Sequence, residues 1–231
     1  MLIAGFGDSF IVPAISTSWM PDVSFTYTEI LKTHFNAECH WNGYAGSSSW
    51  DAFFQAMKYK EQPDVIIFAW SNSHRLYHPE VRNICGAAAA WNRDSDEPIW
   101  QAANMYYQQL ANYHKLHYEH VAFHYWVDTW IHDNFPNSKI IHMWGFPQVE
   151  DDGTVYRWDE PEKFKYYHRF KHGVEIRPAL INLSYSDGWP GDLSKEDRVH
   201  HLSPAKHRVL ADHLIDAIEN YEDGRLINIA P

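Results

Sequence analysis

Four short segments hold residue types from which acyl-transfer chemistry can be assembled. The first is Gly7-Asp8-Ser9-Phe10, directly after the apolar run Leu2–Phe6. A serine hydroxyl is a weak nucleophile until a neighbouring base accepts its proton, so it must sit within reach of a histidine. Glycine at position 7 permits a sharp turn out of a strand. The second segment, Asn42-Gly43-Tyr44-Ala45-Gly46-Ser47-Ser48-Ser49, contains Gly46, whose N–H can face a developing oxyanion with no Cβ in the way. The third, Trp70-Ser71-Asn72-Ser73, offers an asparagine amide to the same oxyanion. The fourth is Asp197-Arg198-Val199-His200-His201-Leu202-Ser203-Pro204, with His207 beyond it. There a histidine base would stand just ahead of a helix, with Asp197 or Glu196 near enough to fix its tautomer. Each segment also has an ordinary reading: an Asx-type turn, a Gly/Ser loop capping a helix, a turn asparagine, and one histidine among 16.

These residues are useful only if the chain brings them to one place, and the hydrophobic pattern provides for that. Leu2–Phe6, residues 37–41 and Asp64–Trp70 read as strands, the last apolar on both faces. Helical spacing over Phe25–Phe35 and Ser49–Tyr59 lies between them, the second helix with Asp51 in its first turn. That βαβαβ rhythm predicts a parallel sheet with helices on both sides, whose carboxyl edge gathers the loops holding Ser9, Gly46 and Asn72. Residues 73–95 break the rhythm and read as part of an insertion spanning about 73–135. Within it, one long helix is expected from a cap at Asp96, with Pro98 in its first turn, to about Asp133. Its inner seam would be Tyr106, Leu110, Tyr113, His117 and Val121. Lys139–Trp144 and Ile176–Leu183 read as further strands, with 145–175 a long loop or lid between them. The last helix is expected from Ser203-Pro204 to about Tyr221, with Val209, Leu210, His213, Leu214 and Ile218 inward.

A chain of 231 residues, 45% hydrophobic and 21% charged, suits a single domain over 1–231. Its formal net charge of −11 disfavours nucleic acid and anionic membrane partners. Two cysteines make no disulfide framework, and no apolar run is long enough for a membrane span. The expectation is a soluble protein made in the cytoplasm, of open oligomeric state and final location. Aromatic residues make up 16% of the chain, including 11 Trp and 14 Tyr, which serves either a bulky core or a sugar-binding cleft. His114, His117, His120 and His124 share a helical arc that His168 or His172 could extend to a zinc site, but no Glu base sits between matching histidines. A half-exposed aromatic-histidine face, packing on the insertion or a partner, is the expected reading, with no metal.

Taken together and in order, the four segments resemble the SGNH (GDSL-like) hydrolases over nearly the whole chain. Gly7-Asp8-Ser9-Phe10 is similar to the family's nucleophile block, Gly46 and Asn72 to its oxyanion-hole residues, and His201-Leu202-Ser203-Pro204 to its histidine block. The resemblance implies a flavodoxin-like αβα sandwich and hydrolysis of a carboxylic ester through an acyl-enzyme on Ser9. It implies no metal and no organic cofactor. The oxyanion hole would combine Ser9, Gly46 and Asn72. Two departures stand out. The third block lacks the usual glycine and aspartate around Asn72. In the fourth, the position three before His201 is Arg198, whereas Asp197 falls three before His200. His201 with Asp197 across a one-residue bulge is favoured as the base pair, and His200 stays open. The substrate would be a small-molecule or carbohydrate ester, with an O-acetyl carbohydrate in front. The alternatives are a catalytically inactive SGNH-fold carbohydrate-binding or structural module, and a flavodoxin-like domain whose serine segments are coincidental.

Overall fold

Every strand pairing in the sheet is parallel, and the apolar runs of the sequence supply most of the strands. The computed structural model describes residues 1–12, 23–81, 84–146, 170–185 and 202–229. The strands are β1 (Leu2–Gly7), β2 (Glu38–Gly43), β3 (Val65–Trp70), β4 (Lys139–Trp144), β5 (Val174–Arg177) and β6 (Leu226–Asn228). They lie in the order β2-β1-β3-β4-β5-β6. This is the flavodoxin-like winding, with its topological switch between β1 and β3. The helices are α1 (Tyr27–Phe35), α2 (Ser49–Lys58), α3 (Gly86–Trp91), α4 (Pro98–Met105), α5 (Tyr113–Asn134), α6 (Leu180–Tyr185) and α7 (Pro204–Glu219). The three-layer αβα sandwich that the motifs imply is therefore what the chain forms.

Parallel register puts paired residues on one face of the sheet, so each face has its own chemistry. Phe6 pairs with Phe68 and Phe68 with His142, while Gly5 pairs with Ile67 and Ile67 with Ile141. On the first face Phe68 and Trp70 stack at 4.5 Å, and α2 and α5 close over them through Phe53, Phe123, Trp126 and Trp130. The other face is aliphatic and small, and α1 and α7 cover it. A Cβ on Gly5 would come within 2.3 Å of the Trp41 ring. The aromatic excess thus builds a core layer first.

Three expectations need correction. The long helix is interrupted: α4 ends in a π-helical turn at Tyr106–Leu110, and Asn112 starts α5 by accepting the Lys115 N–H. Glu97, not Asp96, precedes α4, and it makes no side-chain cap. The break resets the helical phase, so Leu116, Phe123, His124, Val127 and Ile131 face inward, whereas Leu110 is exposed. The fifth strand starts and stops earlier than Ile176–Leu183. Pro178, which has no N–H for a ladder, ends it, and the apolar run from Leu180 coils into α6. The last helix stops at Glu219; His207, Ala211 and Ala217 join its buried face, and His213 is only partly buried. A short sixth strand follows that no pattern announced. Most of the loop or lid expected at 145–175 lies outside the described residues. Between β3 and β4 a second small core gathers Ile84, Ala89 and Ala103 with Leu76, Ile99 and Tyr107. Among the described residues, no helix is long and apolar enough to cross a membrane.

Candidate active site

Three strand exits meet at the switch point, and side-chain hydrogen bonds stitch them together. Ser9 sits half-buried on the turn after β1, where Ile11 N–H donates to the Asp8 carbonyl. From the β2 exit, Ser47 donates its hydroxyl to the Gly7 carbonyl at 2.8 Å, and Tyr44 N–H donates there too at 3.2 Å. That pins the Gly46 loop against the Ser9 turn. Gly46 itself has φ 78°, a left-handed conformation that favours glycine. Ser48 then caps α2 in a reciprocal box with Asp51. From the β3 exit, Ser71 N–H donates to Ser49 Oγ at 3.1 Å, while that hydroxyl donates to the Ser71 carbonyl at 3.2 Å. The residue that follows is Asn72, whose Oδ1 accepts the His74 N–H at 3.2 Å.

Beneath these turns lies a buried ion pair. Asp8 is 1% exposed and Arg75 stands 3.6 Å from its Oδ2. Arg75 also donates to the Ser47 carbonyl at 3.2 Å and lies 4.4 Å over the Phe146 ring. One guanidinium so touches the segments that hold Ser9 and Gly46, from its own place on the Asn72 segment. Burial pushes the Asp8 carboxyl up to about 6, against the opposing pull of Arg75 and the Phe10 N–H. Gly145 must be a glycine here, since a Cβ would meet Asp8 Oδ2 at 2.8 Å.

The turn is also tied to the last helix. Tyr27 donates its hydroxyl to the Phe10 carbonyl, and its N–H donates to His207 Nδ1 at 3.2 Å. His207 is fully buried and stacks on Tyr27, so it is a packing residue with Nδ1 as acceptor. Leu202 is buried too, and Ser203 caps α7 by accepting the Lys206 N–H. His200, His201, Asp197 and Glu196 lie outside the described residues. Ser9, Gly46 and Asn72 are thus on neighbouring turns.

A cavity of about 620 Å³ opens beside Asn72. Trp50, Phe54, Tyr77 and Phe123 supply aromatic walls, with Arg75, Glu119 and His120 as charged or polar groups. Of the candidate oxyanion residues only Asn72 lines it. His120 and His124 stack on each other at 4.2 Å, and His124, expected on a half-exposed face, is instead fully buried against the sheet residues Trp70 and Trp144. The side chains of His114 and His117 are outside the described residues. Sequence reasoning missed Arg75, Ser47 and Ser49 as site-building residues. Nothing local marks Arg75, and the serines read as loop filler.

No protein-family model matches the chain, and no curated protein matches it in sequence. Among solved structures it is similar to a GDSL-like lipase assignment from Parabacteroides merdae, with 14% identity over 94% of this chain and 95% of that one and a TM-score of 0.49. A catalytic mutant of an acetylxylan esterase from Geobacillus stearothermophilus shows 13% identity over 94% and 93%, at 0.48. A carbohydrate esterase family 2 enzyme with a carbohydrate-binding domain, from Corynascus thermopiles (Myceliophthora fergusii), shows 13% identity over 95% of this chain, at 0.48. The chain spans about 65% of that enzyme's length.

Proposed function

We propose that residues 1–231 form one domain acting as a serine hydrolase, which cleaves a carboxylic ester through an acyl-enzyme on Ser9. The observation that carries this reading is the cross-linking of the Ser9, Gly46 and Asn72 turns through Ser47, Ser49 and Arg75 at the switch point of the sheet. A preorganised oxyanion site requires its donors to be held before the charge develops, and such stitching is how a fold holds them.

In this mechanism the Ser9 hydroxyl attacks the carbonyl carbon as His201 accepts its proton. The tetrahedral oxyanion is held by the Ser9 and Gly46 N–H groups and the Asn72 amide. Collapse breaks the ester bond, His201 gives its proton to the leaving alcohol, and water repeats the sequence to free Ser9. Asp197 orients His201, and His200 is the alternative base. The bond from Tyr27 to Phe10, and from Tyr27 to His207, supports this assignment. It couples the nucleophile turn to the helix that directly follows the histidine segment.

An O-acetyl carbohydrate is the substrate class that the cavity favours. Indole, phenyl and phenol walls suit the faces of a sugar ring, and Glu119 and His120 can meet its hydroxyls. The test is Ser9→Ala assayed with 4-nitrophenyl acetate and an acetylated sugar, alongside fluorophosphonate labelling of the wild type. Hydrolysis should fall at least about 1,000-fold, with the probe's mass on the peptide containing Ser9. An active Ser9→Ala variant overturns the proposal. An unlabelled wild type that still binds sugar would make the protein a non-catalytic binding module.

A further inference from the structure

The opposite edge of the sheet carries a second cluster of chemistry-bearing side chains. His132 lies in the last turn of α5, His172 just before β5, and Asp223 between α7 and β6. We propose that His132, His172 and Asp223 form a site for a divalent cation of the zinc class, bracing three elements at the amino-terminal edge of the sheet. A nitrogen of each imidazole and a carboxylate oxygen lie within 4.8 Å of one another. Two imidazoles and one carboxylate suit zinc, nickel or cobalt, whereas magnesium and calcium prefer all-oxygen shells.

The supports around these residues are what distinguish the cluster from chance neighbours. Asp223 Oδ1 accepts the Gly173 N–H at 2.9 Å and the Tyr221 hydroxyl at 2.6 Å, which fixes the carboxylate's orientation. The backbone of His172 is pinned on both sides. Its N–H donates to Asp128 Oδ1 at 3.3 Å, and its carbonyl accepts from His142 Nε2 at 3.2 Å. Asp128 lies one helical turn before His132, so α5 supplies one ligand and anchors the backbone of another. These bonds fix the Asp223 carboxylate and the His172 backbone in place.

The imidazoles of His132 and His172 stack at 3.9 Å with an 11° interplanar angle. Tetrahedral ligands at about 2.1 Å from zinc stand about 3.4 Å apart, so the rings must rotate to close on the ion. Both side chains are only half-buried, which leaves room for that rotation. Solvent would complete the shell. Since β5 and β6 run parallel to β1, residues before them lie at the far end of the sheet from Ser9. The cation would therefore brace the fold and take no part in hydrolysis.

The whole chain, dialysed against chelator, should be titrated with zinc chloride by calorimetry and with cobalt(II) by visible absorption. One equivalent should bind, with cobalt bands of tetrahedral intensity, and excess zinc should raise Tm by about 5 °C. His132→Ala, His172→Ala and Asp223→Asn should each weaken binding by about 10–100-fold, while His34→Ala, on an exposed ion pair elsewhere, should not. Asp223→Asn retains the Oδ1 acceptor and keeps the test readable if a histidine variant fails to fold. Zinc uptake that survives both His132→Ala and Asp223→Asn overturns the site, as does no saturable uptake.

Discussion

The two ends of the parallel strands spend their polar groups differently. At the carboxyl end, Asp8 is buried with Arg75 at 3.6 Å from Oδ2, and glycines approach side chains too closely for any Cβ. At the amino end, Asp128 is also buried, but its two oxygens accept the Lys171 and His172 N–H groups at 2.8 and 3.3 Å. A carboxylate given two backbone donors braces the chain; one with a single backbone donor, the Phe10 N–H at 3.1 Å, and an offset guanidinium is held more weakly. Proteins tolerate the second arrangement where chemistry requires it. Burial raises the pKa of both carboxylates, so what separates the two ends is the number of backbone donors each carboxylate has.

The sharpest break of this contrast is Asn72→Ala. If the carboxyl end is built for the oxyanion, kcat for ester hydrolysis should fall by about 100–1,000-fold while Tm stays within a degree or two. Equal losses of Tm and kcat would make Asn72 a packing residue.

Asp8→Asn comes next in size. The folded-state value of about 6 exceeds the ordinary 3.8, so between these values the native chain holds a proton that the unfolded chain has released. Stability therefore falls as pH rises from about 4 through 6, and the loss of about 3 kcal/mol persists above that range. The Asn variant should lose this slope and be more stable than wild type at pH 7, as read by urea melts at pH 4 and pH 7. Parallel pH slopes in the two proteins would contradict the contrast.

Asp128→Ala should do the reverse at the other end. Removing it strands two backbone N–H groups, costing about 2 kcal/mol of stability, with kcat unchanged. A drop in kcat with stability intact would erase the distinction between the two ends.

How much of this was legible before the structure depends on whether the signal was local. Ser9 and Asn72 could be placed at the carboxyl edge because each follows a strand whose apolar run is plain, and Gly46 because the Asn42-Gly43 turn signal bounds the strand before it. Arg75 could not, because its meaning lies in contacts with Asp8, Ser47 and Phe146, which are remote in sequence. β5 was displaced in the reading because Glu175 interrupts its apolar pattern. That carboxylate is buried, accepting from Trp144 Nε1 at 3.0 Å and Arg177 Nε at 2.7 Å. The break before α5 was hidden because aromatic residues continue across it, and β6 is only 3 residues long. The candidate base and carboxylate positions, 196–201, lie outside the described residues.

The smallest effect tests what the cavity beside Asn72 is for. Trp50 is 40% exposed on the cavity wall, and its ring lies 4.3 Å from that of Phe123. If the wall receives the sugar of an acetylated carbohydrate, Trp50→Ala removes contact made equally in the ground and transition states. KM for such an ester should then rise about 5-fold, roughly 1 kcal/mol, with kcat unchanged. The same variant should treat 4-nitrophenyl acetate as wild type does if the small ester's alcohol does not reach the wall. Trp50→Phe, which keeps an aromatic face beside Phe123, should recover most of the loss. Equal changes for both esters would mean that Trp50 supports the α2–α5 layer and not the substrate, moving the cavity from the chemical end of the molecule to its aromatic core.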